Sequence, residues 1–128
     1  NYLEKSRGSI VCISSICGQE VIPDAPLTYS CAKAALNFYI KGMSRPLGEK
    51  KIRINGISPG NVLFDRSSWE KKLIDNYDKV KSYIKNNVAL NSFGKPEDIA
   101  KLTCYLSSDI SKFATGSIWN LDGGQTRN

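Results

Sequence analysis

Residues 8–15 read GSIVCISS, a short apolar run of Ile, Val and Cys without helical spacing that ends in hydroxyls. Such a run predicts a buried parallel strand. The following CGQEVIPDAP, with its Gly, Pro and Asp, predicts a loop. Apolar positions then recur at helical spacing: Ala32, Leu36, Tyr39, Ile40 and Met43. They predict a helix that starts near Tyr29, with Thr28 as its cap. Pro46 and Gly48 lie near the helix end, where a proline kinks or stops it. Ile52, Ile54 and Ile57 predict a second strand, closed by Pro59 and Gly60. Residues 66–86 predict a polar helical region with Trp69, Leu73, Tyr77, Val80 and Ile84 on one stripe, and VALNSFG a loop. Pro96, Glu97 and Asp98 suit the first turn of another helix, with proline in the first turn and acids at the positive dipole end. That helix runs through Ala100, Leu102, Thr103, Tyr105 and Leu106. GSIWNLDGG predicts a last short strand and a glycine turn. Helical patterns between short apolar strands indicate an α/β fold with a parallel sheet.

Composition changes this picture in three ways. At 128 residues and 41% hydrophobic, the chain can build one domain with a core. No stretch approaches the roughly 20 apolar residues of a membrane span, and NYLEKSRGS has no signal-peptide core. The expectation is a cytoplasmic protein without a membrane partner. The net charge of +6 is spread over SWEKKL, DKVKSYIK and GEKKIR, mixed with acids. Nucleic-acid readers concentrate charge on one face, so nucleic acid is not an expected partner.

Cys12, Cys17, Cys31 and Cys104 form no C-x-x-C, and the chain has no histidine. The cysteines read as reduced thiols packed as small apolar side chains, and no metal site is expected. Without histidine, Ser-His-Asp and Cys-His nucleophilic mechanisms are excluded, as is the usual general base. Proton chemistry falls to Tyr, Lys, Asp, Glu or Cys.

In parallel α/β sheets, ligands bind beyond the carboxyl ends of the strands. Two such ends carry unusual residues here: ISS with Ser14 and Ser15, and SPGN at 58–61. Tyr29 follows the first of them. Lys33 lies one turn beyond Tyr29 on the same helix face. A free phenol titrates near pH 10, about three units too high for a good base at neutrality, and a nearby ammonium favours its phenolate form. Tyr29 and Lys33 are therefore a sensible acid/base pair in a protein without histidine. Tyr77 and Lys81 repeat the spacing, but no strand-end serine precedes them. Tyr77 also falls on the apolar stripe, so core packing is expected there.

The segments GSIVCISSICG, TYSCAKAAL, IRINGISPGNV, FGKPEDIAKLTCYLSSD and TGSIWNLDGG, in this order, resemble the short-chain dehydrogenase/reductase family. The similarity leans to its 3-oxoacyl-carrier-protein reductase-like branch. The resemblance implies the C-terminal part of a Rossmann-like, doubly wound parallel sheet. By position it implies that Tyr29 exchanges a proton with a carbonyl or alcohol. It makes Lys33 the electrostatic partner that also binds the nicotinamide ribose, and Ser15 the donor to the substrate oxygen. Ser14 is expected to point elsewhere by strand alternation. Pro59, Gly60 and the backbone of Val62 match the turn against the nicotinamide. The implied reaction passes a hydride between NAD or NADP and a small carbonyl/alcohol substrate, and the implied full-length assembly is a homodimer or homotetramer. The helix around Trp69 matches a substrate lid, against the alternative of a helix packed on the core.

The chain departs from the family pattern in two places. The glycine-rich cofactor fingerprint is absent from these 128 residues, as is the residue that selects NAD or NADP. Residues 1–128 thus read as the C-terminal catalytic half of one dehydrogenase domain, with Asn1 expected inside a preceding helix. Phe64 stands where the family often has a threonine that contacts the carboxamide, and a phenylalanine there narrows the substrate pocket. A rival from another class is an inactive chain that keeps the fold as a binding or oligomerisation module. A sugar-nucleotide epimerase or dehydratase is a third reading, since relatives share Tyr-x-x-x-Lys. The closing KPEDIAKLTCYLSSD to DGG segment favours the reductase.

Overall fold

A computed structural model describes residues 2–127. The elements are α1 (Tyr2–Ser6), β1 (Ser9–Ile13), a 3-10 turn (Ile16–Gly18), α2 (Leu27–Gly48), β2 (Arg53–Pro59), α3 (Ser68–Asp75), α4 (Tyr77–Asn87), α5 (Pro96–Ser107), a second 3-10 turn (Asp109–Ser111) and β3 (Ile118–Leu121). The expectation for Asn1 falls outside the described residues.

The strands form one parallel sheet in the order β1-β2-β3. Ile10 pairs with Ile54 and Ile13 with Ile57, while Gly56 pairs with Ile118 and Pro59 with Leu121. β2 is central and buried along almost its whole length, as its continuous apolar run requires. Ile52, Ile54 and Ile57 are each 2% exposed or less. Alternation along β2 sends Ile54, Gly56 and Ser58 to one face and Arg53, Asn55 and Ile57 to the other. A Cβ on Gly56 would meet Ile40 Cδ1 of α2 and Ile118 Cδ1, both at 2.8 Å, so the first face is the α2 side. On the other face the Arg53 guanidinium caps the end of α5. It donates to Leu106 O at 2.8 Å and Ser108 O at 2.9 Å, where a cation also complements the helix dipole. Asn55 Nδ2 donates to Ala114 O, and its Oδ1 accepts from Ser117 N, which fixes the approach to β3.

Four expectations are corrected. β1 is shorter than 8–15 and only half-buried, with Ile13 45% exposed, because among the described residues it pairs with β2 alone. Helix α2 begins at Leu27, near Tyr29 as expected, but Pro26 holds its cap position and Thr28 lies inside it instead of capping it. Its buried face is Asn37 and Ile40, whereas Tyr39 is 55% exposed. The region 66–86 is two helices: the Asn76 backbone leaves helical geometry (φ −158°, ψ 84°) and its side chain accepts from Lys79 N. Cys31 and Cys104 are exposed rather than packed, although all four cysteines are free thiols.

Other boundaries follow the sequence. Pro96 stands in the first turn of α5, Glu97 and Asp98 follow, and Asp98 Oδ2 accepts from Lys95 N at 2.9 Å. Helix α2 passes through Pro46 and ends near Gly48. Ile52 N then donates to Leu47 O and Lys51 N to Gly48 O, with Lys51 at φ +58°. That pairing is a Schellman ending with a lysine where glycine is usual. No described helix is long and apolar enough to cross a membrane.

Candidate active site

The carboxyl edge of the sheet gathers the segments that follow β1 and β2 and the first turns of α2. Lys33 Nζ donates to Ile13 O, the last carbonyl of β1, at 2.9 Å. The same ammonium lies 5.6 Å from the centroid of the Tyr29 ring. Tyr29 is 43% exposed, so its hydroxyl-bearing ring is open to a ligand.

Past β1 the chain turns sharply. Ser14 N bonds Ile57 O of β2 at 2.7 Å, and Ser14 Oγ leans on Lys33 O at 3.5 Å. Ser14 therefore faces α2 and is consumed in packing. Ser15 caps the 3-10 turn, its Oγ accepting from Cys17 N at 3.2 Å. A serine hydroxyl that accepts there still has its own proton to donate. Ser15 is 7% exposed, much more enclosed than Tyr29. The turn rests directly on α2. A Cβ at Gly18 would lie 2.6 Å from Lys33 C and 2.8 Å from Lys33 O. Asn37, one turn beyond Lys33, donates through Nδ2 to Gly18 O at 3.1 Å.

Past β2, Gly60 N bonds Leu121 O of β3 at 3.1 Å. A Cβ at Gly60 would strike Asp122 Cα at 2.8 Å, so glycine is needed there for the crossing of two chain segments. Asn61, Val62 and Leu63 then run beside Gly94: Gly94 N donates to Asn61 O, and Leu63 N to Gly94 O. The turn after β3 closes on Asp122, whose carboxylate accepts from Gly124 N, Thr126 N and Thr126 Oγ1. Burial pushes this carboxyl up. The bonds from Thr126, Gly124 and Gln125 outweigh burial and hold it below its ordinary value. Gln19 donates to Asn120 Oδ1 at 2.6 Å, and Asn120 donates to Thr126 Oγ1, so the 3-10 turn is tied to the β3 end.

Tyr77 and Lys81 repeat the ring-over-ammonium geometry at 5.7 Å on α4, which packs against α3. Tyr77 is 59% exposed, which overturns its expected place in the core. Trp69 instead carries that packing, with ring centroids 5.5 Å from Tyr83 and 5.4 Å from Phe93. No residue of α3 is buried. Phe64 is 53% exposed and lines a concavity of about 500 Å³ with Phe93, Lys95 and Pro96. A second concavity of about 330 Å³ lies beside it, bordered by Asn61, Asp98 and Lys101. Tyr29, Lys33 and Ser15 line neither of these two. Among the described residues no three His, Cys, Asp or Glu cluster as metal ligands would.

The apolar spacing of α2 does not mark Asn37, although it falls four residues after Lys33 and eight after Tyr29 on one helix face. That register was the available signal.

The profile of a family described as enoyl-(acyl carrier protein) reductase matches residues 1–126. The chain is similar to the 3-oxoacyl-[acyl-carrier-protein] reductase of Chlamydia trachomatis serovar D, at 38% identity over 122 residues, or 95% of this chain and 46% of that protein. It is 36% identical to isoepoxydon dehydrogenase of Penicillium expansum, over 96% of this chain and 48% of that one. A solved 4-hydroxyisoleucine dehydrogenase complexed with NADH matches 98% of this chain and 50% of its own at 34% identity, with a TM-score of 0.81. L-sorbose reductase of Gluconobacter frateurii, complexed with NADPH and L-sorbose, matches over the same shares at 26% identity with a TM-score of 0.87. The chain spans about half the length of the curated relatives it matches. With a parallel Rossmann-type sheet and a profile match over residues 1–126, the chain belongs to the short-chain dehydrogenase/reductase family, in its 3-oxoacyl-carrier-protein reductase-like branch.

Proposed function

We propose that this chain is the C-terminal catalytic half of an NAD(P)-dependent oxidoreductase that interconverts a carbonyl and an alcohol. One observation carries the reading: the Lys33 ammonium is bonded to the last carbonyl of β1 while it stands beside the open Tyr29 ring. That bond holds the charge at a strand end, two residues before Ser15, where parallel α/β proteins bind ligands.

The residues divide the work as follows. In reduction the Tyr29 hydroxyl gives its proton to the carbonyl oxygen; in oxidation the phenolate takes the proton from the alcohol. The Lys33 ammonium offsets negative charge on the phenol oxygen. Ser15 donates its free hydroxyl proton to the same substrate oxygen, a donor aimed at developing charge. Bound NAD or NADP supplies or accepts the hydride.

The residues present fit one end of that cofactor. Lys33 spends one of its three N–H donors on Ile13 O and keeps two for a ribose hydroxyl pair. Pro59, Gly60 and Val62 would wall the nicotinamide. No glycine-rich strand-turn-helix lies within these 128 residues to cradle a pyrophosphate, which supports the reading of a catalytic half. The relatives named above act on different substrates, so the reading extends to a small carbonyl/alcohol pair and no further. The outward Phe38 and Tyr39 of α2 support a homodimer or homotetramer, and a cytoplasmic location belongs to the same reading.

The test is a pair of substitutions in the complete protein. Tyr29→Phe lowers kcat by about 100-fold or more, the scale of a lost general acid/base. Tyr77→Phe, on a pair with the same local geometry, stays within about twofold of the parent. Equal losses from the two substitutions would remove the assignment.

A further inference from the structure

We propose that Asn37 and Gly18 form a clamp that sets the position of Ser15 against Tyr29 and Lys33. The proposal rests on the reading of those three as the reacting groups. Asn37 touches none of the reacting atoms and is a positioning residue.

Three observations converge on it. Asn37 is 7% exposed on the inward face of α2, between the half-buried Lys33 and the fully buried Ile40. An apolar side chain would suit that stripe, and a buried amide costs free energy unless its groups are paired. Its Nδ2 is paired with Gly18 O, while its Oδ1 has no partner among the described residues. The amide is thus stabilised by one bond, and that bond reaches into the turn after β1.

The second observation is the contact at Gly18. A Cβ there would meet Lys33 C, Lys33 O and Ala34 N at 2.6, 2.8 and 2.9 Å. All three are backbone atoms of a helix and cannot give way. The turn is therefore seated on the α2 backbone at the lysine itself.

The third is the stiffness of the link from Gly18 to Ser15. Gly18 N donates to Ser15 O at 3.0 Å, and Cys17 N to Ser15 Oγ at 3.2 Å. A displacement of Gly18 moves Ser15 with it. On the far side, Lys33 Nζ holds Ile13 O, two residues before Ser15. The serine is therefore gripped from both sides by one helix, through Lys33 upstream and Asn37 downstream. A reacting group displaced by about 1 Å loses on the order of 100-fold in rate, so the clamp acts on kcat.

The test uses the complete protein and the variants Asn37→Leu, Asn37→Asp and Gly18→Ala, with Tyr29→Phe alongside. Asn37→Leu fills the stripe without the donor, and Asn37→Asp keeps the shape without it. The expected result for all three is a kcat lowered about 10- to 100-fold. For Asn37→Leu and Asn37→Asp the dissociation constant for NADH or NADPH stays within about twofold, because neither change touches a cofactor contact. Amide hydrogen exchange at Gly18 and Gln19 quickens while exchange along β2 does not. Parent kcat with unchanged exchange overturns the clamp, as does a kcat loss fully accounted for by a smaller folded fraction. If Asn37→Leu does not fold, Asn37→Asp and Gly18→Ala are judged by the same criteria. Tyr29→Phe turning over at the parent rate overturns the reading of the reacting groups instead; the exchange data still report on the clamp.

Discussion

Lys33 lies 5.6 Å from the Tyr29 ring and Lys81 lies 5.7 Å from the Tyr77 ring, on two different helices. The spacing of four residues produces this approach wherever a helix carries the pair. What separates them is a third group: Lys33 reaches Ile13 O at a strand end, and Lys81 reaches no such acceptor among the described residues. Tyr77 is exposed, so its apolar character was misread as packing. Asp122 is a second residue whose meaning lies in its partners. Its carboxylate accepts from two backbone N–H groups and the Thr126 hydroxyl, and its folded-state pKa is lowered. A lowered pKa contributes stability that is present above the unfolded value, near 4, and lost as pH falls through the folded value. Asp122→Asn is therefore expected to lower stability at neutral pH by about 1 kcal/mol, after allowance for partial exposure. The gap between the two proteins should close in acid, as pH falls through the lowered folded-state value. Chemical denaturation at neutral and acid pH checks this, and a gap that persists in acid would show the loss to be steric.

At the scale of elements, strands and helices were legible in the sequence where one local rule decides them. Ile52, Ile54 and Ile57 identify β2, and Pro96-Glu97-Asp98 identifies the start of α5, because proline and acids act on their own turn. The break inside 66–86 was missed since Trp69, Leu73, Val80 and Ile84 fit one stripe across it. The signal was Asn76, an N-cap type followed by Asp78. The inward face of α2 was misjudged at Tyr39 because hydrophobicity does not say which side the sheet lies on. Of the candidate site, Tyr29, Lys33 and Ser15 stood out through their positions in the order of segments that resembles the family, since Tyr77 and Lys81 share the spacing. Asn37 did not, because its partner Gly18 lies 19 residues away and only the packing of a turn on α2 joins them. The end of α2 offers a test at this scale. Lys51 holds φ +58° in a Schellman ending, a left-handed conformation that is strained for a side chain. Lys51→Gly is expected to stabilise the protein by about 0.5–1 kcal/mol, relief of strain exceeding the added chain entropy. A thermal midpoint that rises with unchanged activity is the expected reading, and a fall would show that Lys51 makes a contact stronger than its strain.

At the scale of the whole molecule, β1 was read as buried because an apolar run carries no record of how many strands flank it. Among the described residues β1 pairs with β2 alone, and Val11 and Ile13 keep surface that a further strand would cover. An open parallel edge with apolar residues favours association. In the proposed function this sheet carries Tyr29 and Lys33 as the acid/base pair, and no glycine-rich strand-turn-helix lies within these 128 residues to hold a pyrophosphate. Lys33 alone gives a ribose little affinity, since exposed single charge-assisted bonds contribute about 1 kcal/mol or less. Tight binding requires pyrophosphate on a helix N-terminus with its glycine turn. The 128-residue chain is therefore expected to show no saturable binding of NADH or NADPH at concentrations up to about 1 mM, a limit near 4 kcal/mol of binding free energy. A polypeptide extended upstream through a glycine-rich strand-turn-helix should bind in the micromolar range and gain turnover with it. Cofactor fluorescence titration of the two polypeptides makes the comparison. Tight binding by the short chain would overturn its reading as half of a site, while an extended protein that binds cofactor but never turns over would favour a binding module that keeps the fold.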